Sequence, residues 1–277
     1  MSARADPHRL DTVLPARGLA ASRTQAARLI TAGRVLVDGR VVRKPAAPVA
    51  PDATVEVTQP ERYVSRAAYK LLAALDGFGV DPGGRLALDC GASTGGFTQV
   101  LLERAAARVI ALDVGHGQFS PVLAVDPRIV LLEGVNAREL DAQRLASLTA
   151  SPERPSLVVA DVSFISLTLV LPALRRTALP EADFVVLVKP QFEVGRAAVR
   201  GGLVSSRKEQ LRAIDGVAAA AAALGLGVAG VLSSPVLGEA GNREFLCHLR
   251  RGPGVDRREW EVLALEGQDP TPTGAEP

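Results

Sequence analysis

Leu86-Ala87-Leu88-Asp89-Cys90-Gly91-Ala92-Ser93-Thr94-Gly95-Gly96-Phe97 (residues 86–97, LALDCGASTGGF) decides the fold. A short apolar run ends in Asp89, the glycines Gly91, Gly95 and Gly96 follow, and a helical pattern begins at Phe97. Glycines in that place let the backbone approach a ligand closely, and the helix start offers N–H groups without intrahelical partners. A second apolar strand, RVIALD at residues 108–113, ends in Asp113, 22 residues after Gly91, where a carboxylate can hold ribose hydroxyls.

Outward from this unit the alternation continues. The pattern predicts helices at 65–76, 97–105 and 207–223, and strands at 86–89, 108–112, 129–132, 157–160, 184–188, 228–233 and 243–249. Val- and Leu-rich strands alternating with helices describe an α/β, Rossmann-like domain with a doubly wound, mostly parallel sheet. Ser206-Arg207-Lys208-Glu209 reads as a capping box opening the 207–223 helix, and Gly225 suits its end. Residues 216–238 carry no charge, and a membrane span needs roughly 20 apolar residues. The stretch is mostly Ala and Gly and is interrupted at Gly225 and Gly227, so it reads as a helix end and a strand, with no membrane partner expected. No apolar stretch follows the charged Met1 to Arg9, so no signal peptide is expected. Cys90 and Cys247 are the only cysteines and there are three histidines, which indicates neither a disulfide framework nor a metal cluster and fits a reducing cytoplasm.

A dinucleotide dehydrogenase would share the strand-loop-helix layout, so the loop needs a finer reading. Its spacing is G-x-x-x-G-G rather than G-x-G-x-x-G, and Asp89 precedes it. A carboxylate at that point repels a pyrophosphate but suits the ammonium and sulfonium region of S-adenosylmethionine. The expected cofactor contacts are Asp89, Gly91, Ala92, Ser93, Gly95, Gly96 and Phe97, with Asp113 on the ribose and Asn136, after the third strand, near the adenine.

Net charge is only +2, but residues 1–45 hold nine Arg and Lys against three Asp, leaving 23 basic and 27 acidic residues elsewhere. A basic front on a slightly acidic body suits a polyanion partner, although a solvated arginine surface would have the same composition. Apolar helix residues at Leu10, Val13 and Leu14 lead to Ser22-Arg23-Thr24-Gln25, a capping-box signature, and Gly33 closes the second helix. Val35–Val37 and Val41-Val42 flank Asp38-Gly39, a strong hairpin signal. Arg23, Arg28, Arg34, Arg40, Arg43 and Lys44 make this a basic wedge. The string RLDTVLPARGLAASRTQAARLITAGRVLVDGRVV, residues 9–42, resembles the ribosomal-protein-S-four-type RNA-binding module. That resemblance implies RNA contact through exposed arginines, and the candidates are Arg9, Arg17, Arg23, Arg28, Arg34 and, beyond the module, Arg66. The expected division is an RNA-binding domain at 1–58, a linker at 59–63, a methyltransferase domain at 64–252 and a largely flexible tail at 253–277.

Two more strand ends carry candidates: Asp161 after Leu157–Ala160 and Lys189 after Phe184–Val188. Ligands of open α/β sheets bind outside the carboxyl ends of the strands, so both should face the same crevice as Asp89 and Asp113. A lysine after an apolar run is costly without a carboxylate partner, and Asp161 is the natural one. Lys70 and Glu244, in the first helix and the last strand, complete a set of four. Lys70, Asp161, Lys189 and Glu244 match the Lys-Asp-Lys-Glu set of the FtsJ-like ribose 2′-O-methyltransferases. The strings YVSRAAYKL, LDCGASTGGFTQVLL, DVGHGQ, VVADVSFISL, LVKPQFEVG and GNREFL extend the resemblance over both domains, to the TlyA family. That family bears a historical haemolysin label, and the resemblance implies ribosomal RNA 2′-O-methylation at cytidines, with S-adenosylmethionine as cofactor, rRNA in ribosomal subunits as partner, and no DNA partner. One departure is Arg62-Tyr63-Val64, where the better-known member has tryptophan.

In this reading Lys189 is the base that takes the ribose proton, burial favouring its neutral amine, with Asp161 orienting it and Lys70 and Glu244 positioning the ribose. Base methylation is the nearest rival. Amino-group enzymes usually follow the fourth strand with Asn/Asp-Pro-Pro-aromatic, whereas this chain has Asp161-Val162-Ser163-Phe164, and neither cysteine is placed for cytosine C5 chemistry. A membrane-active haemolysin lacks a spanning or amphipathic segment. A non-catalytic ribosome-assembly factor stays open, because the fold alone does not establish turnover.

Overall fold

The computed structural model describes residues 8–20, 22–58, 62–238, 241–259 and 261. It divides into two compact units, Met1–Val64 and Ser65–Pro277. Of the expected linker, Arg62 and Tyr63 lie among the described residues, and the tail beyond residue 261 lies outside them.

In the first unit, β1 (His8–Arg9), α1 (Leu10–Ala16), α2 (Arg23–Thr31), β2 (Val35–Val37), β3 (Arg40–Val41), β4 (Pro48–Val49) and β5 (Val55–Val57) follow in order. Ser22 Oγ caps α2 by accepting from the Gln25 amide at 3.2 Å. The β2–β3 hairpin turns through Asp38 and Gly39, both with positive φ (49° and 75°), as the Asp-Gly pair demands. β5 pairs with the other edge of β2, and β1 pairs antiparallel with β4. Leu10, Leu14, Leu29, Ile30, Val35 and Val49 form the small core beneath these elements.

The second unit contains α3 (Ala67–Phe78), β6 (Leu86–Cys90), α4 (Gly96–Glu103), β7 (Arg108–Leu112), α5 (Pro121–Ala124), β8 (Ile129–Leu132), α6 (Ala142–Thr149) and β9 (Leu157–Ala160). It continues with α7 (Leu167–Thr177), β10 (Asp183–Val188), α8 (Pro190–Glu193), α9 (Arg207–Ala222), β11 (Leu226–Ser233) and β12 (Phe245–Arg251). The seven-stranded sheet has the order β11-β12-β10-β9-β6-β7-β8. It is the expected mostly parallel sheet, with β12 inserted antiparallel between β10 and β11. Residues 216–238 form the end of α9, β11 and the chain that follows, and no helix among the described residues is long and apolar enough to cross a membrane.

Three features depart from the sequence pattern. α6 and α7 were not expected: only Leu145 of α6 is buried, which erases its periodicity, and α7 holds Pro172 mid-helix in an apolar run that reads as strand. α7 survives because Leu167, Val170, Leu171, Ala173 and Leu174 are buried in the main core. The Ser206 capping box does not close: that side chain makes no cap bond, and Gln210 instead turns inward to donate to the Val204 carbonyl at 2.8 Å. The last strand begins at Phe245, leaving Glu244 just outside it.

Candidate active site

Strand register assembles the site. Cys90 pairs with Ala160 across β6 and β9, so Gly91 and Asp161 emerge side by side. A Cβ on Gly91 would meet the Asp161 carbonyl oxygen at 2.6 Å, and φ there is +84°, so both space and backbone require glycine. On the other side Val188 pairs with Phe245, and one step beyond that antiparallel pair stand Lys189 and Glu244. The sheet order runs outward in opposite directions from β6 and β9, and the crevice outside their carboxyl ends is where such folds bind ligands.

Two buried ion pairs occupy this edge. Lys189 Nζ lies 2.6 Å from Asp161 Oδ1 and donates to Ser163 Oγ at 2.7 Å, with only 9% of its side chain exposed. Lys70 Nζ, from α3, lies 2.5 Å from Glu244 Oε2, the two side chains 10% and 3% exposed. Sequence reasoning named all four residues and joined Lys189 to Asp161, but it did not join Lys70 to Glu244, which are 174 positions apart. Beside them, Phe164 is 90% exposed with φ +65° and lies 5.4 Å, centroid to centroid, from the Phe192 ring. The only sequence signal for Phe164 was its place four residues past the apolar strand end. Phe164 is thus an exposed aromatic held in a left-handed conformation next to buried charges.

The glycine loop is built around two carboxylates. Asp113 accepts from the Ser93 amide at 2.8 Å and the Gly115 amide at 2.7 Å, and so ties the loop after β6 to the loop after β7. Gly95 (φ +94°) caps α4, and a Cβ there would strike Leu123 and Phe119. Asp89 is fully buried: Thr98 Oγ1 donates to its Oδ2 at 2.6 Å, while Oδ1 has no hydrogen-bond partner among the described residues. Burial pushes its carboxyl up to about 7, against the lowering by the Thr98 hydrogen bond.

The remaining expected contacts differ in exposure. Asp89 does not open onto the crevice; its burial makes it the internal staple of loop and helix. Ala92 and Phe97 are turned inward, each 4% exposed, so only their backbone can meet a ligand. The space at Gly96 belongs to Ser65, whose Oγ a Cβ would clash with, so that glycine serves the packing of α4 on the start of α3. Asn136 caps a 3₁₀ turn by accepting from the Arg138 amide at 3.1 Å. Ser93, exposed with φ +48°, does face outward.

Among the arginines, Arg17 is committed to the carbonyls of Ala53 (2.6 Å) and Pro51 (2.9 Å), and it braces its own unit. Arg9 and Arg23 both bond to buried Asp11, and the Arg9 hydrogen bond foremost holds that carboxyl down at about 2. Their side chains are more than half exposed, so the carboxylate holds both at the surface. Arg28 and Arg34 are half-buried, and Arg66 is exposed at the start of α3.

The FtsJ-like methyltransferase model matches residues 63–251 and the S4 domain model residues 8–55. The chain is 50% identical over 245 residues to the 16S/23S rRNA (cytidine-2′-O)-methyltransferase TlyA of Mycobacterium tuberculosis, covering 87% of this chain and 89% of that protein. It is 37% identical to the 23S rRNA (cytidine-2′-O)-methyltransferase TlyA of Campylobacter jejuni, covering 68% and 71%. A solved structure of a protein described as a haemolysin, from Streptococcus thermophilus, superposes with a TM-score of 0.73 at 35% identity, covering 94% of this chain and 96% of that one. The chain belongs to the FtsJ-like methyltransferases, and within them to the TlyA family. Membership implies S-adenosylmethionine as methyl donor. The residues fit it: a close-approach glycine at Gly91, an outward Ser93, the start of α4 and the Asp113 carboxylate line one loop, as a nucleoside with an amino-acid tail requires.

Proposed function

We propose that this protein methylates the 2′-hydroxyl of a cytidine ribose in ribosomal RNA of the 16S and/or 23S type, acting on ribosomal subunits in the cytoplasm. Residues 1–58 bind RNA, and 64–252 hold cofactor and reacting ribose. The observation that carries the reading is the pair of buried lysine–carboxylate contacts at the strand ends beside the glycine loop. A loop for a methyl donor alone does not require them; an oxygen that must lose a proton does.

When bound, S-adenosylmethionine supplies an electrophilic methyl group; Gly91, Ser93, Gly95 and Asp113 hold it. A ribose hydroxyl is a weak nucleophile because its pKa lies far above neutral. Having first lost one proton to solvent, Lys189 Nζ as the neutral amine accepts the hydroxyl proton while the oxygen–carbon bond forms, and Asp161, 2.6 Å away, stabilises the restored ammonium. Ser163 Oγ fixes the amine from a second direction. Lys70 and Glu244 neutralise each other in the wall of the site and direct the remaining Lys70 donors toward the ribose, so that much of the acceleration is alignment. Exposed Phe164 offers a ring face on which the base of the target nucleotide can stack.

The test is transfer of labelled methyl to isolated 30S and 50S subunits, with the product mapped to ribose or base. Ribose label on either subunit establishes the reading and names the substrate. Base label overturns the Lys189 mechanism, and no label on either favours a non-catalytic assembly factor.

A further inference from the structure

The loop after β9 and the segment after β10 meet at three successive places. Lys189 contacts Asp161 and Ser163; Phe192 contacts Phe164; Glu193 contacts the start of α7. At the third, Glu193 Oε2 accepts from Ser166 Oγ at 2.5 Å and Oε1 accepts from the Leu167 amide at 2.8 Å. Ser166 is itself the N-cap of α7, its Oγ accepting from the Thr168 amide at 3.1 Å. The Glu193 side chain is thus the last rung of a zipper whose first rung is the reacting lysine.

We propose that Glu193 is a positioning residue for methyl transfer, cross-linking the loop that carries Asp161, Ser163 and Phe164 to the segment that carries Lys189. The inference rests on the ribose-methylation reading for its kinetic consequence, while the cross-link itself is a property of the free protein. Glu193 lies four positions after Lys189, and α8 is a single turn that its own hydrogen bonds hold weakly. Without the outer rung, the Phe192–Phe164 contact and the Lys189 rung itself are what join α8 to the loop ahead of α7. Burial raises the Glu193 carboxyl above its ordinary range despite the Ser166 and Leu167 bonds. The cross-link itself rests on the two contacts to Ser166 and Leu167.

The test compares Glu193→Ala, Glu193→Gln and Thr177→Val in the full-length protein. The amide form keeps both contacts, because Gln Oε1 accepts from Leu167 while its Nε2 donates to the Ser166 hydroxyl, which can reverse its role. Thr177→Val removes a buried hydroxyl bond to the Ala173 carbonyl at the far end of α7 and controls for loss of helix stability alone. We expect Glu193→Ala to lower kcat roughly 100-fold. RNA KM and cofactor Kd should stay within about threefold. Hydrogen exchange at the Leu167 amide should rise at least roughly 10-fold. Glu193→Gln should restore protection and most of kcat, and Thr177→Val should move neither. A Glu193→Ala enzyme with the kcat of Thr177→Val, with KM rising in step, or with an unchanged Leu167 amide overturns the assignment, as does failure of the Gln form to rescue. If the wild type yields no ribose label, the ribose reading falls on that result, and Leu167 exchange still decides whether the cross-link exists.

Discussion

At the amino-terminal ends of the strands, Arg85 donates to Asp183 at 2.8 Å, to Ser156 Oγ at 3.3 Å, to the Ser156 carbonyl and to the Asp81 carbonyl at 3.4 Å. His248 Nε2 meets the other Asp183 oxygen at 2.9 Å. Each oxygen of Asp183 is matched, and the His248 hydrogen bond, ahead of Arg85, holds its carboxyl below the usual range. The carboxyl-terminal ends of the same strands carry more charged groups, joined in separate pairs. Lys189 and Lys70 each have one carboxylate, and exposed Phe164 faces solvent. One end spends its polar groups on holding the sheet, and the other leaves bonds for something that arrives. A buried network that is fully satisfied contributes stability, whereas a half-satisfied one points to a ligand.

That contrast can be broken, beginning with its largest consequence. Lys189→Ala should cut methyl transfer by roughly 10³-fold while cofactor affinity stays within about threefold; loss of both together would show that Lys189 helps bind the cofactor. Asp89 comes next. Its folded value is about 7 against about 4 when unfolded, so ionisation is penalised in the native state. Wild-type stability should therefore fall as pH rises from about 4 through about 7, by up to about 4 kcal/mol, and Asp89→Asn should flatten that slope in urea unfolding. The smallest effect belongs to the opposite end. Asp183→Ala should cost about 2 kcal/mol at neutral pH with kcat unchanged. Because the folded pKa of Asp183 is depressed, its contribution is complete above the unfolded value of about 4 and is lost as pH falls through the folded value. Wild type and variant should then converge in acid.

The legible parts of the fold were those with local periodicity: the strands of the parallel sheet, the α2 cap at Ser22 and the Asp38-Gly39 turn. Asp161 and Lys189 could be joined because a charge closing an apolar strand needs a partner on a neighbouring strand end. Lys70 and Glu244 could be named by resemblance but not joined, since only the antiparallel insertion of β12 beside β10 brings Glu244 to that edge. Glu193 gave no signal, because Pro190-Gln191-Phe192-Glu193 is too short for a helical period and its partners lie on α7, which Pro172 disguised. Asp89 was placed at the right strand end but given the wrong surroundings: sequence shows that a carboxylate follows an apolar run, not whether its side chain faces ligand or helix.

The central claim is that the carboxyl-terminal end performs a proton transfer while the amino-terminal end only stabilises. The most direct measurement compares Lys189→Arg with Asp183→Ala in single-turnover methyl transfer and in urea unfolding. Arginine keeps a cation against Asp161 but cannot give up its proton, so the account predicts a rate lower by roughly 10³-fold with stability within about 1 kcal/mol of wild type, and the reverse pattern for Asp183→Ala. A Lys189→Arg enzyme that transfers methyl groups within about tenfold of the wild-type rate would contradict it, and would leave that lysine as a fixed charge and not a base.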